Sequence, residues 1–271
     1  MAVRLVAFDL DGTLLGGNDR VSAHTADVLA RARAAGMVLV AATGRSCRAA
    51  RMALGATDAI DHIICSNGAV HYDVRRDEVV AHHPIEPGML AALYQSVNDG
   101  LDGACWAWET SVGIVPDCGF RTLTARLDEL KKAPVPMVLP PPMQLPPTEP
   151  ASKAMIAHPY LVGDRLLGRL QRCLPACLSA ASSSAVFVEV TAPGIDKAFG
   201  LEALCRQVGV ARREVMAFGD QLNDLSMLRW AGRGVAMANA HPLVLSAVAE
   251  RTGRNTDDGV AAVIASLLAD A

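Results

Sequence analysis

The chain has no long hydrophobic run, no basic stripe and no paired-cysteine motif, and each absence removes a class of function. Its apolar stretches reach about ten residues before they are interrupted, against roughly 20 needed to cross a bilayer. Asp9 and Asp11 break the first apolar run, and no basic region precedes it, so no signal-type segment is expected there. Lys and Arg are dispersed and the net charge is −3, which gives no electrostatic footprint for nucleic acid. The seven cysteines (Cys47, Cys65, Cys105, Cys118, Cys173, Cys177 and Cys205) are an odd, scattered set, as expected of reduced and mostly buried thiols. Cys173 and Cys177 can share a helical face, but without nearby His they make a poor zinc site. The expectation is a soluble, cytoplasmic protein, monomer or homodimer, with neither a membrane nor a nucleic-acid partner.

What is present is apolar and punctuated. Hydrophobic residues make up 51% of the 271, ample for one or two domains. Leu5 to Phe8 is a short run that ends in two carboxylates, Asp9 and Asp11, followed by Gly12-Thr13. Such a run, bounded by a turn signal, reads as a strand buried on both faces of a parallel sheet. Ligands bind at the carboxyl ends of strands in open α/β sheets, where Asp9 and Asp11 fall. Taken alone, Asp-x-Asp-Gly reads equally well as a capped turn.

Three downstream pieces shift that balance. Val38 to Ala42 is a second buried strand running into Thr43-Gly44-Arg45, whose hydroxyl and amide suit an anion at the start of a helix. Lys197, in Gly194-Ile195-Asp196-Lys197, offers a compact positive charge suited to phosphate. Val215 to Phe218 leads into Gly219-Asp220-Gln221-Leu222-Asn223-Asp224, a set of oxygen-bearing side chains suited to a hard divalent cation. Each has a bland reading by itself: a Thr cap, a solvated Lys, a capped turn.

In this order the four pieces resemble the motifs of the haloacid dehalogenase superfamily, the aspartate-nucleophile phosphohydrolases, and look closest to its Cof-type branch. Ser66-Asn67-Gly68-Ala69, Gly234-Val235-Ala236-Met237-Ala238-Asn239-Ala240 and Asp257-Asp258-Gly259-Val260 match that branch as well. The resemblance covers roughly residues 3–80 and 187–262, and no catalytic position departs from the pattern. It implies an α/β fold with a Rossmann-like parallel sheet and an inserted, smaller α/β domain of the type-2B cap kind. It implies phosphate-monoester hydrolysis with Mg²⁺, on a small phosphorylated substrate such as a sugar or cofactor phosphate. By resemblance Asp9 is the nucleophile and Asp11 the general acid and base. Asp9, Asp220 and the backbone carbonyl of Asp11 hold the metal, while Thr43, Gly44, Lys197 and Asn223 hold phosphate. Asp224 orients Lys197 or the metal shell, and Arg45 and Asn67 face substrate or serve as helix and turn residues.

Along the chain, helices are expected at about 23–35, 46–54, 89–98, 120–132, 161–173, 198–208, 222–230, 241–250 and 259–269. Strands are expected at 38–42, 61–65, 104–109, 112–115, 153–157, 185–190, 214–218 and 234–236, with a hairpin pairing 70–72 and 79–81. Residues 133–150 hold eight prolines, too many for a helix or a central strand, and read as a meandering loop. The core domain is expected over 1–82 and 188–271, with the insert over 83–187. Trp106, Trp108 and Phe120 read as core of the insert, and most of its basic side chains, Lys153 among the set, as helix surface. Two other functions remain open. A sugar-phosphate phosphotransferase would need basic residues on the insert for a second phosphate. A non-catalytic phospho-ligand-binding regulator would lack Asp9, Asp11, Lys197 or Asp220, all of which are present.

Overall fold

The apolar run before Asp9 forms a four-residue strand with every side chain buried. The computed structural model describes residues 2–55, 57–110, 113–125, 146–182 and 186–269. Its contacts divide the chain into two units, Met1–His82 with Asp196–Ala271, and His83–Ile195. Among the described residues no helix is long and apolar enough to cross a membrane.

The first segment of the first unit runs β1 (Leu5–Phe8), α1 (Ala23–Ala34), β2 (Val38–Ala42), α2 (Cys47–Leu54), β3 (His62–Cys65), β4 (Val70–Asp73) and β5 (Glu78–His82). The second unit follows with α3 (Pro87–Gly100), β6 (Cys105–Thr110), β7 (Gly113–Pro116), α4 (Cys118–Ala125), β8 (Ala151–Ala157), α5 (Gly163–Leu170), β9 (Ser179–Ala181) and β10 (Phe187–Thr191). The chain then returns through α6 (Lys197–Val208), β11 (Val215–Gly219), α7 (Leu225–Trp230), β12 (Arg233–Ala236), α8 (Pro242–Ala247), β13 (Glu250–Arg251) and α9 (Gly259–Ala269).

In the first unit the sheet order is β13-β12-β11-β1-β2-β3-β4-β5. Strands β13 through β3 pair in parallel, and β4 and β5 add the expected antiparallel hairpin. Leu5, Ala7, Val40, Ala42, Val215 and Ala217 share one face and pack with Leu201, Leu204, Met227 and Leu228 of α6 and α7. Burial on both faces explains the nearly unbroken apolar runs of these strands. Helix starts follow the sequence cues: Ser22, Ser46 and Asp196 each accept the backbone N–H of the third residue of the helix they cap.

The second unit is a five-stranded antiparallel sheet, β7-β6-β8-β10-β9. Trp106 and Trp108 stack at 5.0 Å and are buried, while Phe120 packs at 5.7 Å from Phe187.

Several boundaries differ from expectation for physical reasons. Strand β10 pairs with β8 and β9, so the second unit extends to Ile195 and the return to the first begins at Asp196 instead of 188. Helix α3 starts at Pro87, because proline fits the first helical turn, where its missing N–H goes unused. The 161–173 helix contracts to α5, and the 222–230 helix begins as a 3₁₀ turn, Leu222–Asp224. The 241–250 helix stops at Ala247, and Glu250–Arg251 joins the sheet edge as β13. Only Cys65, Cys105 and Cys205 are buried, which corrects the expectation of mostly buried thiols; none is in a disulfide. Lys153 lies within β8, which covers the strand expected at 153–157, and is buried. Residues 126–145, which include the end of the expected 120–132 helix and most of the proline-rich stretch, lie outside the described residues.

Candidate active site

Parallel order sets four chain segments side by side. Strands β11, β1, β2 and β3 are neighbours, so Asp220, Asp9, Thr43 and Asn67, each just past a strand end, line one edge of the sheet. The β1–β11 register pairs Phe8 with Phe218, and the Asp9 N–H donates to the Phe218 carbonyl at 3.1 Å. Lys197 arrives from elsewhere, as the first residue of α6. That helix start is seated by Gly68, where any Cβ would sit 2.0 Å from the Asp196 carbonyl oxygen.

The Lys197 ammonium is fully buried and donates to Asp9 Oδ1 and Asp224 Oδ1, both at 2.6 Å. The other Asp224 oxygen, Oδ2, accepts the backbone N–H groups of Asp220 and Gln221, each at 2.9 Å. Asp220 in turn accepts from the Thr13 hydroxyl at 2.9 Å and the Gln221 amide at 3.1 Å. One carboxylate oxygen from each of Asp9, Asp220 and Asp224 lies within 4.8 Å of the others, the one such set among the described residues. Gly12 makes room for this set: with φ at +80° it leaves no space for a Cβ, which would meet Asp220 Oδ2 at 2.4 Å.

Three carboxylates share one ammonium, and the titration reflects it. Burial raises Asp9 well above the usual carboxylate range, Lys197 opposes that rise, and Asp224 and Asp220 add to it. Asp220 is pushed up to about 7, by burial first and then by Asp224. Burial would lower Lys197, but Asp224 and Asp9 outweigh it and hold the ammonium charged. Such a set is short of positive charge. Hard carboxylate oxygens in a crowded, buried group fit a small divalent cation, with Asp9 and Asp220 best placed to hold it. Both oxygens of Asp224 are already engaged. The side-chain oxygen Oδ1 of Asn223 is buried with no hydrogen-bond partner among the described residues.

The remaining expected residues are distributed around this centre. Thr43 is buried, and its Oγ1 accepts the Arg45 N–H at 3.1 Å while Gly44 lies between them. The Asn223 amide donates to Asn67 Oδ1 at 3.0 Å, and Asn67 sits at φ +54° in the turn after β3. Asp11 stands apart: its carboxylate is half exposed and takes a two-point ion pair from Arg45, with the Nε–Oδ2 bond at 2.7 Å. The expectation of Asp11 as a metal residue therefore rests on its backbone carbonyl alone. Arg45, expected to face substrate or serve the helix, is occupied by Asp11, which raises its pKa further. Sequence reasoning gave no role to Thr13 and Gln221, although each lies inside a quoted motif beside an acid it supports.

A family model described as haloacid dehalogenase-like hydrolase matches residues 6–264. The HMP-PP phosphatase of Serratia proteamaculans (strain 568) is 30% identical over 90% of this chain and 86% of its own. The 5-amino-6-(5-phospho-D-ribitylamino)uracil phosphatase YcsE of Bacillus subtilis (strain 168) is 26% identical over 97% and 94%. Among solved structures, a haloacid dehalogenase-like hydrolase from Bacteroides thetaiotaomicron superimposes with a TM-score of 0.70 at 27% identity, covering 98% of this chain and 99% of its own. The HAD subclass IIB sugar phosphatase BT4131 shares the fold, with a TM-score of 0.77 at 22% identity over 97% and 98%.

Proposed function

The chain belongs to the haloacid dehalogenase-like hydrolase family, and from that premise we propose that it is a Mg²⁺-dependent phosphatase of small phosphate monoesters, acting through an aspartyl phosphate on Asp9. The observation that carries the reading is Lys197, bridging Asp9 and Asp224 at 2.6 Å each although it lies 188 residues from Asp9.

Uncatalysed phosphate-monoester hydrolysis is among the slowest reactions known, and a covalent intermediate divides its barrier into two smaller ones. Asp9 attacks phosphorus through the oxygen not held by Lys197. Asp9 and Asp220 would hold Mg²⁺, which when bound supplies the charge that offsets repulsion between Asp9 and the phosphate dianion. Lys197, the Thr43 hydroxyl, the Gly44 amide and the side-chain N–H of Asn223 donate to the phosphoryl oxygens and act where charge redistributes in the transition state. Asp224 keeps Lys197 aimed and ties down the backbone of Asp220 and Gln221. Asp11 gives a proton to the leaving alkoxide, then takes one from the water that releases phosphate. Its half-exposed position keeps it out of the metal set, and it must give up the two-point ion pair with Arg45, which it makes as a carboxylate, before it can protonate the leaving oxygen.

The names of the relatives direct the substrate panel: sugar phosphates, HMP-PP and ribitylaminouracil phosphate, with p-nitrophenyl phosphate as a generic ester. Phosphate release is expected with Mg²⁺, to vanish with chelator and to vanish in Asp9→Asn. A variant that keeps its turnover would end the Asp9 mechanism.

A further inference from the structure

We infer that Asn239 and Asn255 are positioning residues for leaving-group protonation: together they clamp the loop that carries Asp11. The inference rests on the phosphatase reading above.

The chain from Asp9 to Leu15 is a tight coil. Leu14 N–H donates to the Asp9 carbonyl at 3.2 Å, Leu15 N–H to the Leu10 carbonyl at 2.9 Å, and Asp11 and Leu15 form an isolated bridge. Two of its carbonyls accept side-chain amides from the far end of the sequence. Asn239 Nδ2 donates to the Gly12 oxygen at 2.7 Å, and Asn255 Nδ2 to the Leu15 oxygen at 2.8 Å. The two asparagines are themselves joined, because the Asn255 N–H donates to Asn239 Oδ1 at 3.0 Å. Behind them Asp258 accepts the hydroxyls of Ser22 and Thr25 at 2.6 and 2.9 Å, which fastens the start of α1 to the same C-terminal turn.

Gly12 is the reason a clamp is needed. It sits at φ +80°, directly after Asp11, and a glycine there has the least intrinsic resistance to rotation of any residue. The Gly12–Thr13 peptide is held at its carbonyl by Asn239 and, by a longer bond of 3.4 Å, at its N–H by the Leu10 carbonyl, while the Thr13 side chain bonds Asp220. With the Asn239 grip gone, the peptide is freer to turn and to carry the Asp11 backbone with it, leaving the Arg45 pair as the remaining hold on the Asp11 side chain. Asp9 does not depend on this grip. Its position is set by the β1–β11 register and by Lys197. Loosening the clamp therefore damages proton delivery to the leaving group while sparing nucleophilic attack.

That asymmetry gives a test no general loss of structure imitates. A p-nitrophenolate leaving group needs little protonation, whereas phenolate, a stronger base, needs more. With Mg²⁺, Asn239→Ala and Asn255→Ala are each expected to lose roughly tenfold more kcat/KM on phenyl phosphate than on p-nitrophenyl phosphate. The double variant should lose less than the product of the two single losses, as expected of residues acting through one loop. Asn239→Asp keeps the acceptor for Asn255 but loses the donor to Gly12, and should reproduce the alanine pattern even if Asn239→Ala folds poorly. Equal losses on both esters, or none, in variants with wild-type thermal midpoints would overturn the clamp. Wild-type protein that lacks Mg²⁺-dependent turnover of p-nitrophenyl phosphate, or an Asp9→Asn variant that retains it, would instead sink the phosphatase reading and the clamp with it.

Discussion

Two lysines in this protein are buried beside pairs of carboxylates, one in each unit, and their surroundings differ. Lys153, in the middle of β8, pairs with Glu189 of β10 and lies 3.6 Å from Glu109 of β6. Lys197 pairs with Asp9 and Asp224. In both cases burial would lower the ammonium pKa and the neighbouring carboxylates reverse the effect. The difference lies in where the chain puts them. The Lys153 group spans three adjacent strands, Glu109 directly across from Lys153 in the register, where the sheet continues on either side. The Lys197 group lies where strand ends, a 3₁₀ turn and a helix start converge, and a third carboxylate, Asp220, joins it. Burial and ion pairing are thus common to both clusters and do not by themselves mark the proposed site. A third carboxylate at a strand-end edge, beyond the two that the ammonium pairs with, is the feature that separates the proposed site from the Lys153 cluster.

The contrast breaks most visibly in activity. Asp9→Asn or Lys197→Met should cost on the order of 10⁴-fold or more in phosphate release, while Lys153→Met leaves kcat of the folded protein nearly unchanged. A comparable catalytic loss in Lys153→Met would erase the distinction. Stability should show the converse. Lys153→Met leaves Glu109 and Glu189 buried without their cation and should destabilise the protein by about 3–5 kcal/mol in denaturant titration. Replacing all three with apolar residues of similar volume should recover most of that loss.

A third buried group sharpens the point by staying neutral. His71 is pushed down to about 4, by burial first and then by His62, whose ring nitrogen lies 3.3 Å away. The unfolded chain protonates this histidine near pH 6.5, before the folded one does. Its effect on stability is thus absent above that pH and grows as a penalty while pH falls toward 4, reaching about 3 kcal/mol. Asp220, raised to about 7, works in the opposite direction over an overlapping range. The stability difference between wild type and His71→Gln, followed from pH 7 to 4.5, isolates the histidine. A flat difference would show that His71 does not titrate as its burial implies. The smallest effect expected is on the metal. Mg²⁺ at 100 times its Kd should stabilise wild type and Lys153→Met alike by about 2.7 kcal/mol, seen as a raised thermal midpoint, and Asp220→Asn should lose the response.

Much of this was legible because the information is local. Leu5–Phe8 and Val215–Gly219 declare themselves as buried strands, and Asp9 and Asp220 stand immediately beyond them. Thr43 and Lys197 likewise sit at a strand end and a helix start that their neighbours announce. What stayed hidden was long-range or too short to carry a pattern. β9 and β13 are three and two residues long and exist because a neighbouring strand recruits them. The Asn239–Gly12 and Asn255–Leu15 bonds join residues 227 and 240 apart, and a side chain bonding to a backbone carbonyl leaves no trace in the partner's identity. The Arg45–Asp11 ion pair was hidden for a similar reason, since each residue had another plausible task.

Trapping the covalent intermediate tests the Asp9 mechanism most directly. Protein turning over p-nitrophenyl phosphate with Mg²⁺ would be quenched in acid, reduced with borohydride and digested for mass spectrometry. Reduction of an aspartyl phosphate yields homoserine, expected at position 9 and dependent on both substrate and Mg²⁺. Homoserine at another aspartate, or an unmodified Asp9 in protein shown to be phosphorylated at the moment of quenching, would contradict it.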